Sequence, residues 1–221
     1  MAMLPALQSL DEKIYQSLRL EDLYRVFAAN KCLLFYLTTL AFIAYGYDLF
    51  SFSMKIDSEN HAVSAGEKVQ WIQQGRWGMY YLNRYLLPDA IMPFMPVLIG
   101  MSGLVTGVFF YLLSLSDYRG ARDILAAPLV IACPLLAFAF YFNTLGYGLG
   151  IAFALVGGGF YALTRWSMIS AIAAAVFFAV AIGIYQSVLL LIPVLLGFYI
   201  VVKVISVPDV TLKILLRYLL I

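Results

Sequence analysis

Charge is scarce in this sequence: Asp, Glu, Lys and Arg make up only 12% of its 221 residues, about half the share found in an ordinary soluble domain. The balance is close to neutral, with 14 basic and 12 acidic residues and a net charge of +2. No basic excess argues for nucleic acid as a partner, and no acidic block argues for a disordered tail. Cysteine is almost missing too. Cys32 and Cys133 both fall inside apolar runs, where a thiol packs as a small apolar group, so neither a disulfide framework nor cysteine-based chemistry is expected. The first thirty residues have no continuous apolar core, being interrupted from Asp11 to Arg25 by seven charged side chains. A cleaved signal peptide is therefore not expected there, and the first spanning helix must itself direct insertion.

Hydrophobic residues make up 64% of the sequence, and they are arranged in blocks of membrane-spanning length. A bilayer core about 30 Å thick needs about 20 apolar residues of helix. Such windows run from about 32 to 47 or 50, from 91 to 115 with Pro93 and Pro96 in the first turns, and from 126 to a turn at 143–148. The fourth, 149–163, holds Gly150, Gly157, Gly158 and Gly159, which suit close approach to a neighbouring helix. Residues 168–205 are too long for one span and right for two, divided at Tyr185-Gln186-Ser187 with Pro193 early in the sixth. The tail 206–221 sets Asp209, Lys213 and Arg217 four apart against an apolar face, as an interfacial helix would. The expected fold is all-α, a polytopic transmembrane bundle of about six spans forming one membrane domain over residues 1–221.

Lys and Arg accumulate on the cytoplasmic side of membrane proteins. With the segment 1–31 placed in the cytoplasm, only Lys55, Lys68, Arg76 and Arg84 of the 14 basic residues fall outside. Both termini are then cytoplasmic, and residues 48–90 form a long extracytoplasmic loop. Loops of this length in a tightly connected bundle usually carry function. This one contains five of the 12 acids, the single histidine and two of the three tryptophans. Ser64 and Glu67 form a capping-box pattern, which predicts a helix running through Trp77 toward Leu87 and lying in the membrane plane. Its Trp and Tyr residues need no more explanation than an interfacial belt.

Acids near a membrane boundary are costly unless solvated, paired or used. Asp48, Asp57 and Glu59 stand there with His61, Arg76 and Arg84. Each alone reads as a solvated surface group. Together they offer carboxylates as a general base or cation ligand and guanidinium groups that hold phosphate by paired hydrogen bonds, a combination suited to a phosphate-linked substrate.

The stretch Asp57-Ser-Glu59, then Trp71-Ile-Gln-Gln-Gly75-Arg76-Trp77-Gly78, then Leu86-Leu-Pro88, resembles the serotype-converting O-antigen glucosyltransferases of the type II kind. Ile182-Gly-Ile-Tyr185-Gln186-Ser187 is similar to a second signature of that family. The resemblance runs from about residue 33 to 205. It implies a GT-C-like enzyme of the bacterial cytoplasmic (inner) membrane, passing a glucosyl residue from a polyprenyl-phosphate carrier to the O-antigen of lipopolysaccharide. It also implies Asp57 and Glu59 as the catalytic acids, with Asp48 as a further candidate. Arg76 would face the carrier phosphate, and Trp77, His61, Arg84 and Gln186 complete the expected substrate-binding set. No cofactor is demanded; a divalent cation stays open beside the carboxylates. Enzymes of this class are generally longer, so the chain is expected to correspond to the N-terminal part of one. The rival readings are a non-enzymatic transporter or flippase subunit and an inactive, truncated scaffold. Spans three to six hold almost no charge near the midplane, where a transporter places it.

Overall fold

The computed structural model describes residues 20–50, 69–86, 94–115, 127–128, 130–133, 136, 143–164 and 167–206. Among the described residues there are eight helices and no strand, in agreement with the expected all-α class. The chain divides into two compact units, Met1–Tyr36 and Leu37–Ile221.

In the first unit, helix α1 (Leu20–Ala29) stops at Asn30 and α2 (Lys31–Phe50) starts directly after it. Asn30 makes the break: its side-chain amide donates to the Val26 carbonyl at 2.9 Å, while its own carbonyl accepts from Leu34 N–H. The side chain thus closes the old helix and the main chain opens the new one.

In the second unit, the remainder of α2 buries Leu37, Ala41, Tyr45 and Leu49, every fourth residue, and leaves Phe42, Ile43, Tyr47 and Phe50 exposed. The buried Tyr45 hydroxyl donates to the Ile131 carbonyl, giving the one polar atom on that face a partner. Helices α3 (Val69–Gln73) and α4 (Trp77–Tyr85) follow, then α5 (Met95–Leu115), α6 (Asn143–Leu163), α7 (Met168–Ile184) and α8 (Val188–Ser206). α2, α5 and residues Gly146–Leu163 of α6 are long and apolar enough to cross a membrane. α7 and Val188–Val202 of α8 are shorter apolar helices. Large apolar side chains such as Ile43, Met168, Leu190 and Val194 stand well exposed on these helices, a surface that water would penalise and lipid accepts. The chain is a helical membrane protein.

The main packing joins α5 to α6 and α6 to α7. A methyl group added at Gly103 would strike the Gly150 backbone, one at Gly107 would strike Phe153, and one at Gly157 would strike Gly107. Residue numbers rise together along the seam, so α5 and α6 run parallel with their backbones in contact. Only glycine permits this approach, which bears out the packing role expected for Gly150 and Gly157. α7 runs the other way against α6, with Gly148 beside Ile184 and Gly159 beside Phe178. It opens on a reciprocal cap in which Ser170 N–H donates to Ser167 Oγ at 3.0 Å and Ser167 N–H to Ser170 Oγ at 3.0 Å. α7 ends at Ile184 and α8 begins at Val188, so the break falls at Tyr185-Gln186-Ser187 as the polar interruption predicts, with Pro193 in the second turn of α8.

Two expectations are corrected. Residues 143–148 form no turn; they are the opening of α6, because Gly148 receives the Met79 side chain and Gly150 meets the Gly100 backbone, contacts that outweigh glycine's poor helix propensity. The single helix expected through Trp77 to Leu87 is broken at residues 74–76, where Gly75 takes a left-handed φ of 74°. The Ser64–Glu67 cap and the tail beyond Ser206 lie outside the described residues.

Candidate functional site

The break between α3 and α4 is an elbow. Gly75 N–H donates to the Ile72 carbonyl at 2.9 Å and Arg76 N–H to the Trp71 carbonyl at 2.7 Å, which folds the chain back on α3 and makes Arg76 the residue that opens α4. Glycine is needed at the bend because a side chain is strained at that φ.

The elbow rests on the α7–α8 turn. The Gln186 side-chain amide donates from Nε2 to the Gln74 carbonyl at 2.6 Å, across 112 residues of sequence. Beside it the Arg76 guanidinium carbon lies 5.2 Å from the centre of the Tyr185 ring and 5.6 Å from that of Trp71, both within cation–π range. The Trp77 ring lies on Gly183, and Gly78 lies against Ile184 and Gly183, at distances that leave no room for a methyl group on either glycine. The segments 73–78 and 182–187 therefore interlock.

α4 is tied down further along. Met79, 1% exposed, fills the space over Gly148. Asn83, 7% exposed, donates to the Met79 carbonyl at 3.0 Å and accepts from the Tyr147 hydroxyl at 2.7 Å, so both ends of its buried amide are satisfied. Tyr147 and Gly148 are in the opening turns of α6, Ile184 closes α7 and Val188 opens α8. The site consequently sits at one end of the apolar bundle. Its outward side carries Trp77, Tyr81 and Tyr85, at 43%, 52% and 72% exposure, in a row with ring centres 6.5 Å and 6.2 Å apart.

Among the described residues, the structure brings Arg76, Trp77 and Gln186 into one place. Arg84, on the same helix, stands about two turns from Arg76. Its exposed guanidinium donates to the Tyr80 hydroxyl at 2.7 Å, and that hydrogen bond raises its already high pKa. Asp48 is half-buried in the last turn of α2. Asp57, Glu59 and His61 lie outside the described residues, as does any contact they make. No group of three His, Cys, Asp or Glu among the described residues is placed to hold a metal ion. The sequence pattern alone does not mark Asn83 or Tyr147 as part of a site, whereas Gly183 falls within the Ile182–Ser187 signature. A lone amide in an otherwise apolar and aromatic helix was the available sign for Asn83, and nothing local marked its partner 64 residues away.

The chemical character of the site centres on Arg76. Among the described residues its buried Nε has no hydrogen-bond partner, and its guanidinium has no acidic one. Aromatic rings steady a guanidinium through their faces without occupying its N–H donors, whereas a carboxylate would take both charge and donors. Arg76 is thus a supported cation with donors left for an oxyanion.

Both interlocking segments fall inside the region that matches a known family. The model of the family described as glucosyl transferase GtrII matches residues 46–221. No curated protein and no solved structure matches the chain. With four-fifths of its length covered by that family model, the chain belongs to the glucosyl transferase GtrII family.

Proposed function

We propose that this glucosyl transferase takes a glucosyl residue from a polyprenyl-phosphate carrier and passes it to the O-antigen of lipopolysaccharide, on the outer side of the bacterial inner membrane. The observation that carries this reading is the convergence of the elbow 73–78 with the turn 182–187 around an arginine whose Nε has no partner among the described residues. A site for a lipid-linked phosphate needs a cation at the membrane boundary, and Arg76 stands at the end of the bundle beside a row of exposed aromatic rings suited to headgroup depth.

The same geometry supports six spans. Because α5 and α6 run parallel, the chain leaving α5 at one end must return to the other before α6 begins. Residues 116–142 are long enough to do so as a membrane helix, and Ala127 and Ile131 within them are buried. Six spans put both termini on one side; the Lys and Arg bias makes that side the cytoplasm, with the elbow outside and α4 at the interface.

In the transfer, the acceptor hydroxyl oxygen bonds to the anomeric carbon as that carbon's bond to the phosphate oxygen breaks. The electron pair leaves with the polyprenyl phosphate, and the hydroxyl proton passes to Asp57 or Glu59. Arg76 donates to the departing phosphate, whose charge grows as the bond breaks. A divalent cation beside the carboxylates is compatible with this scheme and is not required by it. The test is transfer of labelled glucose from a polyprenyl-phosphate donor to lipopolysaccharide in membranes, with expression measured in parallel. Asp57→Asn or Glu59→Gln should lower the rate by about 100-fold or more if that residue is the base. Parent rates in both variants would remove these residues from the reaction and direct attention to Asp48.

A further inference from the structure

We propose that Gln186 is a positioning residue: its side-chain amide holds the Gly75 turn in the shape that presents Arg76 to the donor. This rests on the reading above, in which Arg76 receives an anionic group of the donor.

The α7–α8 turn engages the elbow on both sides of Gly75. Gln186 takes the Gln74 carbonyl at 2.6 Å, and the neighbouring Tyr185 sets its ring beside the Arg76 guanidinium. One turn therefore supplies both the anchor of the bend and part of the cradle for the cation. Gly75 itself cannot stiffen the bend, since it is the residue with the widest choice of φ and ψ. A methyl group at Gly75 would come within 2.5 Å of Gln186 Nε2, so the amide lies directly against the bend. Without that hydrogen bond the Gln74 side of the bend is no longer tied to the α7–α8 turn, and the fixed relation of the arginine to Tyr185 loosens.

Both Gln74 and Gln186 are exposed. Water competes for such a bond, and its net contribution to folding is small. A purely structural role would thus leave little trace anywhere, while a positioning role shows in ligand affinity alone. Gln186 is also distinct from a direct ligand of the donor: if it acts through Arg76, removing it from a protein that already lacks the arginine fork has no further effect.

The experiment uses the full chain, purified in lipid nanodiscs, with radiolabelled polyprenyl phosphate as the probe and thermal unfolding recorded for each variant. Gln186→Met keeps the length and removes the donor. It should weaken the probe by about tenfold with unchanged thermal stability. Arg76→Lys should weaken it as well, and the double variant should bind no more weakly than Arg76→Lys alone. If Arg76→Lys retains the probe as well as the parent does, or the parent does not retain it at all, the Arg76 reading fails and the positioning role falls with it. Weakening in Arg76→Lys with parent affinity in Gln186→Met overturns the positioning role alone. Additive losses in the double variant also overturn it, because Gln186 would then touch the donor itself.

Discussion

Glycine brings chain segments into contact at two places in this molecule, with opposite consequences. Along the α5–α6 seam, Gly103, Gly107, Gly150 and Gly157 set backbone against backbone. At the elbow, Gly75 and Gly183 make room for side chains, the Gln186 amide and the Trp77 ring. The seam is apolar, and what its backbone contacts supply is cohesion between helices that gain little from hydrophobic burial inside lipid. The elbow is polar, with a guanidinium held by rings and its Nε left without a partner among the described residues. The seam therefore supplies a rigid base, and the elbow supplies a group held ready on it.

The largest effect is expected at the seam. Gly150→Leu would drive a branched side chain into the Gly100 backbone, and neither parallel helix can yield without losing the rest of the contact. A cost of about 4 kcal/mol or more places this among the severe core substitutions. The measurement is the yield of monodisperse protein after mild detergent extraction, which should collapse. Normal yield would mean that the two helices are not held by this contact.

At the elbow the expected effect is smaller and of another kind. Gly75→Ala puts a Cβ on a residue at φ 74°, against Gln186 Nε2. The backbone strain costs about 1–2 kcal/mol, and the elbow is free to relax because only a turn, not a helix, depends on it. Polyprenyl phosphate affinity should fall while the yield of folded protein stays near that of the parent. If yield fell as steeply as for Gly150→Leu, the elbow would be a structural element like the seam and the contrast between them would be gone.

How far these two regions can be read from the sequence follows the range of the interactions that make them. The uncharged run from 168 to 202 and its Tyr-Gln-Ser interruption are local signals, and the break between α7 and α8 falls where they place it. The glycines of α6 advertise a helix contact, though not its partner. Gly146 and Gly148 were misread as turn residues because local propensity knows nothing of Met79 and Ile184, which occupy the space beside Gly148. The opposite error arose at Gly75, where helical spacing of the apolar residues runs on through a bend that Gln186 holds from 112 positions away. Arg76 stands out by its place among the charges of the loop, Trp77 and Gln186 by resemblance to a family, and only the helix topology shows that the three meet. The carboxylates of that site, Asp57 and Glu59, stand on their sequence pattern alone.

Between the seam and the elbow lies the Tyr147–Asn83 hydrogen bond, which joins α6 to α4 and so links the base to what it carries. Tyr147→Phe removes the hydroxyl and leaves Asn83 Oδ1 buried without the partner it has at 2.7 Å. The expected loss is about 1–2 kcal/mol, seen as a lower unfolding temperature by a few degrees. Asn83→Leu in the same background should recover part of it, since removing both polar groups costs less than stranding one. No recovery would indicate that Asn83 has a role beyond accepting from Tyr147.

The smallest effect completes the contrast by removing glycine from any contact at all. Gly197 lies inside α8, and a methyl group built there has nothing within 4 Å. If the sensitivity of Gly150 and Gly75 comes from what they touch and how they bend, a glycine that does neither has no reason to be sensitive. Gly197→Ala should then be neutral or stabilising, by up to about 1 kcal/mol, because alanine loses less backbone freedom on entering a helix. Thermal unfolding in detergent and glucosyl transfer in membranes should both match the parent or exceed it slightly. A marked loss of stability would show that this face of α8 meets a neighbour, a lipid or a second chain that approaches as closely as α5 approaches α6.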